Sequence, residues 1–239
     1  MSGLPVQPRQ ATGAPMRPPG VDITPRYIPA LSFRWLTPLY DPLLRWGMRE
    51  QVFKGRLIER ASIRPGQDVL DLGCGTGTLT LMIKQAVPSG HLTGLDGDAA
   101  VLSIARAKSA RAGLSIRWDL GLAYDLPYPD HSFDVVVSSL VIHHLVHQDK
   151  LRTFREVLRV LKPEGVFHLL DFGRPFSFLT RMQSAIMRNL EEADDNFCGS
   201  LPGMLREAGF PHAVEAVPMN TIFGPIWLHD AARTTRHAK

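Results

Sequence analysis

The chain has 239 residues, 44% of them hydrophobic, which is enough apolar side chain for one substantial folded core. Its formal net charge is +4, yet residues 1–60 hold 9 Lys and Arg against 4 Asp and Glu, while residues 61–239 hold 18 against 19. The near-neutral remainder argues against a long phosphate-binding face. The longest apolar segment, VVVSSLVIHHL, is far too short to cross a bilayer, which predicts no integral membrane association.

The first quarter of the chain predicts a tail and a lid. Nine of the 19 prolines fall within the first 42 residues, and few large apolar groups precede residue 27, so this part cannot offset the entropy lost on ordering. We expect a disordered Pro-rich tail over 1–27, a helical lid segment over 28–62, a folded core over 63–230 and a flexible tail over 231–239. The basic tail either meets an anionic surface such as phospholipid or nucleic acid, or is a solvated segment that aids solubility.

Cysteine content and the N-terminus bear on the compartment. The 2 cysteines, Cys74 and Cys198, do not suggest a disulfide framework. The sequence MSGLPVQPRQATGAP lacks the long apolar core of a secretory signal. We therefore predict a cytoplasmic protein.

Short apolar strands alternate with helical patterns from residue 50 onward, which predicts a parallel sheet covered by helices on both faces. In EQVFKGRLIERA, Val52, Leu57 and Ile58 stand between charges, as in an amphipathic helix. The later elements follow in this order: strand QDVLDL, helix LTLMIKQAV, strand HLTGL, helix DAAVLSIARAKSARAG, strands LSIRWDL and SFDVVVSSL, helix DKLRTFREVLRVLK up to Pro163, strand GVFHLLDF, a helical pattern, short helix LPGMLREAG, and strands HAVEAVPM and TIFGPIWLHD. The last two should pair antiparallel. The predicted class is an α/β fold, a Rossmann-like three-layer sandwich whose mostly parallel seven-stranded sheet has an antiparallel final strand.

The stretch VLDLGCGTGTLT places Gly73, Gly75 and Gly77 directly behind an apolar strand. In an open parallel sheet the ligand lies beyond the carboxyl ends of the strands, and a glycine-rich turn there lets the backbone approach it closely. Thr78 stands where the dinucleotide fingerprint has glycine, and Asp71 would repel a pyrophosphate but attract an ammonium or sulfonium group. The turn therefore predicts a cationic ligand, with a purely structural turn as the alternative.

The nine residues VLDLGCGTG resemble, almost letter for letter, the first motif of the class I S-adenosylmethionine-dependent methyltransferases. Within that family, LYDPLLRW and LRVLKPEGVFHLLDFGRP are similar to the ubiquinone/menaquinone-biosynthesis C-methyltransferase group and its small-molecule relatives. The resemblance implies S-adenosyl-L-methionine as cofactor and in-line transfer of its methyl group to a small-molecule acceptor. It assigns cofactor binding to Asp71, Gly73, Cys74, Gly75, Asp96, Gly97 and Ala123, and the aromatic segment ahead of the core adds Tyr40 as a further candidate.

The acidic end of the second strand has two interpretations. By the resemblance, Asp96 accepts hydrogen bonds from the ribose hydroxyls, which a nicotinamide cofactor would require as well. The alternative is an N-cap of the next helix, and Asp98 meets that role better.

The adenine end departs from the family pattern. Many members have an Asp-Ala pair that reads the adenine, and this chain has Leu122 and Ala123 at the matching positions. Ala123 can act through its backbone, and Asp119 or Asp125 can substitute for the missing acid.

His143 and His144, just after strand SFDVVVSSL, are the predicted catalytic residues. Methyl transfer requires the nucleophile and the methyl group to be held in line in a dry pocket. The nucleophile can also require loss of a proton, for which neutral imidazole is suited. The alternative is that these histidines hydrogen-bond the loop and cap the next helix. His147 is expected to be exposed.

Aromatic and apolar segments indicate where an acceptor lies. Tyr40 and Trp46 are predicted to close over the strand ends as a lid, with core packing as the alternative. An adaptable pocket for an apolar or aromatic acceptor is predicted from Phe and Met side chains, for which core packing is again the alternative: Phe176, Phe178, Met182, Met187 and Met204.

Other partners and functions have weaker support. The acidic patch of Glu191, Glu192, Asp194 and Asp195 lacks ordered ligand spacing and His or Cys partners, so we expect a solvated loop and no metal site. The Asp/Asn-Pro-Pro-Tyr/Phe signature and a Pro-Cys nucleophile are absent, which argues against nucleic acid as a partner. The rival functions are a nucleic-acid methyltransferase, a non-catalytic cofactor-binding module and, more distantly, an NAD-dependent enzyme.

Overall fold

The computed structural model describes residues 50–187, 194–221 and 224–233. Its strands are β1 (Asp68–Leu72), β2 (His91–Asp96), β3 (Arg117–Leu120), β4 (Phe133–Ser139), β5 (Leu161–Phe172), β6 (Val214–Thr221) and β7 (Gly224–Ala232). Its helices are α1 (Glu50–Ala61), α2 (Thr78–Ala86), α3 (Ala99–Arg111), α4 (His147–Val160), α5 (Phe178–Met187), α6 (Asp194–Phe197) and α7 (Leu201–Glu207), with a 3₁₀ turn at Ile142–His144. Strands and helices alternate along the chain as predicted.

The described strands form one 7-stranded sheet in the order β3-β2-β1-β4-β5-β7-β6. β1 pairs in parallel with β2 and β4, and the parallel run extends to β3 on one side and β5 on the other. β7 pairs antiparallel with both β5 and β6, so the closing strands form the predicted antiparallel pair. The predicted Rossmann-like α/β class, with its antiparallel final strand, is confirmed.

Strand residues pack alternately into two buried clusters on opposite faces of the sheet, because successive side chains on a strand point to opposite sides. Leu70, Val136 and Leu169 join the cluster that packs against α4 and α7. Val69 and Leu170 join the cluster that packs against α1 and α2. The three layers therefore follow from strands that are apolar on both faces.

Helix α1 packs on the sheet through one residue per turn. Phe53, Leu57 and Ala61 are buried, and Ile58 is half-buried beside them. Val52, which the sequence pattern places on the apolar face, is 53% exposed. That placement is wrong because the buried face is centred on Phe53, and the preceding residue lies about 100° around the helix.

The boundary between α4 and β5 differs from the prediction. The sequence predicts a helix up to Pro163, but α4 ends at Val160 and β5 begins at Leu161. A residue before proline avoids the helical region, and proline lacks the amide hydrogen that a helix interior requires. Lys162 and Pro163 therefore belong to the start of the strand, where Leu161 pairs with Phe133.

Several predicted features lie outside the described residues. They are the tail over 1–27, most of the lid segment with Tyr40 and Trp46, the acidic residues Glu191 and Glu192, and the last residues of the chain. Among helices in the described ranges, none combines the length and apolar character needed to cross a membrane.

Candidate active site

The carboxyl ends of neighbouring parallel strands carry the polar residues of the candidate site. The chain leaves β1 towards β2 and later returns to the other side of β1 as β4, so the strand order switches between β1 and β4. Ligands of open α/β sheets bind at such a point. The glycine turn follows β1, Asp96 ends β2, the 3₁₀ turn with His143 follows β4, and Asp171 lies near the end of β5.

The glycine turn packs tightly on one side and is open on the other. Gly73 and Cys74 donate their amide hydrogens to the carbonyl of Leu95, with N–O distances of 2.8 and 3.0 Å. Gly73 has a φ of +69°, and a Cβ there would lie 2.4 Å from a methyl carbon of Val141, so only glycine fits. At Gly75 a Cβ would meet no described atom within 4 Å. The turn therefore presents open space at Gly75.

Two carboxylates lie beside this turn, that of buried Asp71 and that of half-buried Asp96. Asp71 is 1% exposed and accepts a hydrogen bond from the Thr80 hydroxyl at 2.6 Å. Burial raises the pKa of Asp71 to about 6, and the nearby charge of Asp96 adds to the rise. Asp96 accepts a hydrogen bond from the amide of Gly75 at 2.8 Å, and burial raises its pKa as well. A cationic ligand near both carboxylates would lower their electrostatic energy.

Asp96 and Asp98 have different hydrogen-bond partners, and only Asp98 caps the helix that follows. Oδ1 of Asp98 accepts a hydrogen bond from the amide of Ala100 at 2.7 Å, so Asp98 is the N-cap of α3 as predicted. Oδ1 of Asp96 accepts from the amide of Asp98 at 2.9 Å, and the amide of Gly97 also stabilises the charged form of Asp96. Asp96 is therefore held towards the glycine turn instead of capping the helix.

His143 and Asp171 form a buried pair. Nδ1 of His143 lies 2.7 Å from Oδ1 of Asp171, and the side chains are 6% and 0% exposed. Asp171 also accepts hydrogen bonds from backbone amides, those of Val141, Ile142 and Phe172. Burial opposes the charged form of Asp171, but His143 and these amides outweigh burial and hold its pKa below the usual value.

An ionised Asp171 sets the tautomer of His143. A carboxylate only accepts hydrogen bonds, so Nδ1 of His143 donates and, in the neutral ring, Nε2 carries the lone pair. This is the arrangement of a general base that an acidic partner holds in orientation. The ring of half-exposed His144 lies at a centroid distance of 3.9 Å from that of His143, with the two ring planes tilted by 43°. The N-cap of α4 is Val146, which provides no side-chain hydrogen bond.

Asp171 is a site residue that sequence reasoning missed, although a signal was present. It stands near the end of the apolar strand sequence FHLLDF, just as Asp71 and Asp96 stand near the ends of theirs. Carboxylates at the carboxyl ends of parallel strands meet at one edge of the sheet. The three positions together could have been read as one acidic edge.

Similarity to known proteins places this geometry in a family. A family model described as a methyltransferase domain matches residues 69–165. Over 207 residues the chain is 31% identical to the ubiquinone/menaquinone biosynthesis C-methyltransferase UbiE of Vibrio vulnificus, with 76% of this chain and 79% of that protein covered. The chain belongs to the methyltransferase family.

Other relatives agree with this assignment. The chain is 36% identical over 155 residues to the 2-phytyl-1,4-naphtoquinone methyltransferase of Synechococcus elongatus, with 62% of this chain and 65% of that protein covered. It therefore spans slightly less than two thirds of the length of that relative. The apo structure of the S-adenosylmethionine-dependent methyltransferase SibL has the same fold, with a TM-score of 0.65, 21% identity, and 82% of this chain and 58% of that chain covered.

The described residues fit the cofactor of the methyltransferase family. Membership implies S-adenosylmethionine, as the sequence predicted. Its sulfonium and ammonium charges suit the carboxylates of Asp71 and Asp96, whose pKa values burial raises. The space beside Gly75 leaves room for close approach to the backbone.

Cys74 of this chain supplies backbone to the turn, and its thiol donates a hydrogen bond to the carbonyl of Gly75 at 3.8 Å. Its side chain is buried, and a Cβ on Gly94 of β2 would lie 3.0 Å from its sulfur. Burial raises the pKa of the Cys74 thiol well above its usual value. The thiol therefore stays protonated and is no nucleophile.

The position predicted to read adenine is apolar in this chain. Ala123 lies in a tight turn closed by the pairing of Leu122 with Asp125, and it packs against the core. Asp119, one candidate for the missing acid, already accepts a hydrogen bond from the Tyr128 hydroxyl at 3.0 Å. Asp125, the other candidate, is exposed. An adenine here would meet apolar side chains and backbone.

The side chains predicted to form an acceptor pocket separate into two groups. Met204 is 4% exposed and belongs to the core, as the alternative reading expects. On and before α5, several large apolar side chains are between 47% and 80% exposed: Phe176, Phe178, Leu179 and Met182. The side chain of Met187 lies outside the described part of the structure.

The acidic patch differs from the solvated loop that the sequence predicts. Asp195 lies in α6, where its Oδ2 is 3.1 Å from Nδ1 of His147 and 3.4 Å from Nζ of Lys150. The prediction is wrong for Asp195 because the fold brings α6 against the start of α4. His147 itself is exposed as predicted, with 56% of its side chain accessible. Within the described ranges, no group of three or more His, Cys, Asp and Glu side chains could hold a metal ion.

Proposed function

We propose that this protein transfers a methyl group from S-adenosylmethionine to a small apolar acceptor, and that the acceptor is a hydroquinone ring. The observation that carries the proposal is the pair of His143 and Asp171 at the same edge of the sheet as the carboxylates beside the glycine turn. The acceptor class is supported by the names of the relatives, one a 2-phytyl-1,4-naphtoquinone methyltransferase and the other a C-methyltransferase of ubiquinone/menaquinone biosynthesis.

The cofactor site of the proposal is built from the ends of β1, β2 and β3. Asp71 attracts the positive charges, Gly73 and Gly75 keep side chains away from the cofactor, and the second lone pairs of Asp96 accept from the ribose. Backbone at Cys74, Gly97 and Ala123 completes the site, with Tyr40 from the lid segment. When bound, S-adenosylmethionine supplies an electrophilic methyl group on a cationic sulfur.

The chemical step of the proposal assigns one proton transfer to His143. Nε2 of His143 accepts the proton of the acceptor hydroxyl, and the electron pair of the broken O–H bond enters the ring. The activated ring carbon forms a bond to the methyl group, and the sulfur keeps the electron pair of the broken C–S bond. The ring carbon then loses its own proton to water, which restores aromaticity, and the imidazolium of His143 returns its proton to the ring oxygen. Asp171 stabilises the imidazolium while it exists.

The apolar character of the acceptor is supported by the surface beside this pair. In the strand pairing Asp171 lies opposite Trp227, and the ring of Phe176 packs edge-on against Trp227 with a centroid distance of 6.1 Å. The exposed side chains of Phe178 and Met182 continue this surface along α5. Such a surface suits an aliphatic side chain on the acceptor.

Methyl transfer from labelled cofactor tests the proposal. We expect S-adenosyl-L-[methyl-³H]methionine to label chemically reduced 2-prenyl-1,4-naphthoquinol, and to label unsubstituted 1,4-naphthoquinol more slowly because it lacks the apolar chain. Extraction into organic solvent and chromatography would identify the product. Failure to label either quinol would contradict the proposed acceptor class. Transfer to added RNA or DNA instead would support the nucleic-acid alternative.

The affinity for the cofactor should depend on pH through Asp71. The pKa of this residue is raised to about 6, so its carboxylate is ionised above that pH and neutral below it. A cationic ligand binds the ionised form, so affinity is full above about pH 6 and weakens by up to about tenfold per pH unit below it. Calorimetric titration with S-adenosylmethionine between pH 5 and 7 measures this. An affinity that is constant over that range would remove Asp71 from the cation site.

A further inference from the structure

Lys150 is buried completely within the layer of helices that covers the candidate base. Its side chain is 0% exposed, on the face of α4 that also buries Thr153 and Phe154. A buried amine is unfavourable unless it is hydrogen-bonded. Nζ of Lys150 lies 3.0 Å from Oδ1 of Asn196 and 3.4 Å from Oδ2 of Asp195. An apolar side chain would satisfy the packing at this position. We therefore take the role of the amine to be its hydrogen bonds to these polar partners.

Asn196 connects this lysine to the acid behind His143. Its side chain is 0% exposed, and its Nδ2 donates to Oδ1 of Asp171 at 3.2 Å and to the carbonyl of Phe172 at 3.3 Å. The amide oxygen accepts from Lys150, so the amide nitrogen must face Asp171. The opposite orientation would place the amide oxygen against a carboxylate and the amide nitrogen against an amine. Lys150, on one side of the amide, and Asp171 with the carbonyl of Phe172, on the other, therefore favour the same orientation of Asn196.

Resting on the proposed role of His143, we propose that Lys150 and Asn196 are positioning residues that hold Asp171, and through it His143, in the orientation needed for proton transfer. Nδ1 of His143 and Nδ2 of Asn196 both lie within hydrogen-bond distance of the same oxygen, Oδ1 of Asp171. A displacement of that oxygen therefore moves the imidazole. The chain of contacts ties α4 and α6 to the ends of β4 and β5.

The proposal also has an electrostatic consequence. A positive charge on Lys150 disfavours a second positive charge on His143, so removal of the lysine should let His143 keep its proton to higher pH. The ionisable groups that face this region from the surrounding elements are Asp171, His144, Lys150, His147, Asp195 and His229. Burial lowers the pKa of His229 to about 4, so this histidine stays neutral at pH values well above 4. All of them except Lys150 are unchanged in the test variant.

Nuclear magnetic resonance of the full chain, labelled with ¹⁵N and ¹³C in histidine, tests the inference without any acceptor. The His143 signals are assigned by their loss in His143→Gln. We expect Lys150→Met, which preserves the apolar packing, to raise the midpoint of the His143 titration by at least about half a pH unit. Phe154→Leu is the matched control, since it alters the same buried helix face without a polar change, and it should leave the midpoint in place.

The outcomes separate the inference from the proposed function. A midpoint that Lys150→Met leaves within about 0.2 pH units of the wild type, in protein that still shows a cooperative thermal transition, overturns the inference. Wild-type protein that methylates no quinol refutes the proposed function, whatever the titration shows. With an active wild type, Lys150→Met and Asn196→Leu should each lower kcat about tenfold or more and leave the dissociation constant of S-adenosylmethionine unchanged. A variant that loses only thermal stability and keeps kcat would contradict the positioning role.

Discussion

Asp71→Asn is expected to weaken binding of S-adenosylmethionine by about 10- to 100-fold and, at the same time, to stabilise the ligand-free protein. The carboxylate is 1% exposed and its pKa is raised to about 6, so its charge is unfavourable in the folded protein at neutral pH. The amide keeps an oxygen that can accept from Thr80 and removes the charge. We expect the free energy of unfolding at pH 8 to rise by about 1–3 kcal/mol.

The pH dependence of this gain has a definite sign. Because the pKa of Asp71 in the folded protein lies above its usual value of 3.8, wild-type stability is lost as pH rises through the interval from about 4 to 6. The advantage of Asp71→Asn should therefore be full above pH 6 and absent below pH 4, as measured by chemical denaturation. Asp98→Asn is the matched control, because this N-cap beside the turn should keep cofactor affinity. Unchanged affinity in Asp71→Asn would refute the electrostatic account of the turn.

His143→Gln is expected to lower kcat by about 10²- to 10⁴-fold, the range for loss of a general base, while calorimetric affinity for the cofactor stays within about twofold. The reason is that His143 carries its lone pair on Nε2, fixed by Asp171 at 2.7 Å, whereas the cofactor residues lie on other strands. The kinetic measurement uses the naphthoquinol that the wild type methylates.

His91→Gln is the control for this variant. His91 is the first residue of β2, at the end of that strand away from Asp96, and 71% of its side chain is exposed. Its substitution should leave kcat unchanged. Since His143 is buried, each variant should also show a thermal shift with S-adenosylhomocysteine, which reports an intact fold. A His143→Gln enzyme with wild-type kcat would leave positioning alone as the source of catalysis.

The fold was predictable because its strands are short apolar runs and its turns carry strong local signals. VLDL and FDVVVSS are buried on both faces, and that requires helices on both sides of the sheet. The glycine turn and Asp96 were predictable from one local motif each. The predicted end of α4 was wrong because Pro163 favours a strand over a helix at the residues before it. The predicted apolar face of α1 was wrong because that face is centred on Phe53, which the prediction left out.

The polar network behind the site was not predictable from local sequence. His143 and Asp171 are separated by 28 residues, and Lys150 and Asn196 by 46, so they meet only once the strand order and the position of α6 are known. Lys150 stands in the charged sequence HQDKLRTFRE, which reads as a solvated helix start. Its burial depends on α6, a single helical turn whose sequence DDNF carries no helical periodicity.

The two cysteine thiols lie in different environments, which makes the protein suited to selective labelling. Cys74 is enclosed by the sheet with its thiol protonated, whereas Cys198, immediately after α6, is exposed. A maleimide dye should therefore attach at a single position, two residues from the amide of Asn196, and leave the glycine turn intact. Fluorescence from that dye would report movement of α6 as cofactor and acceptor bind.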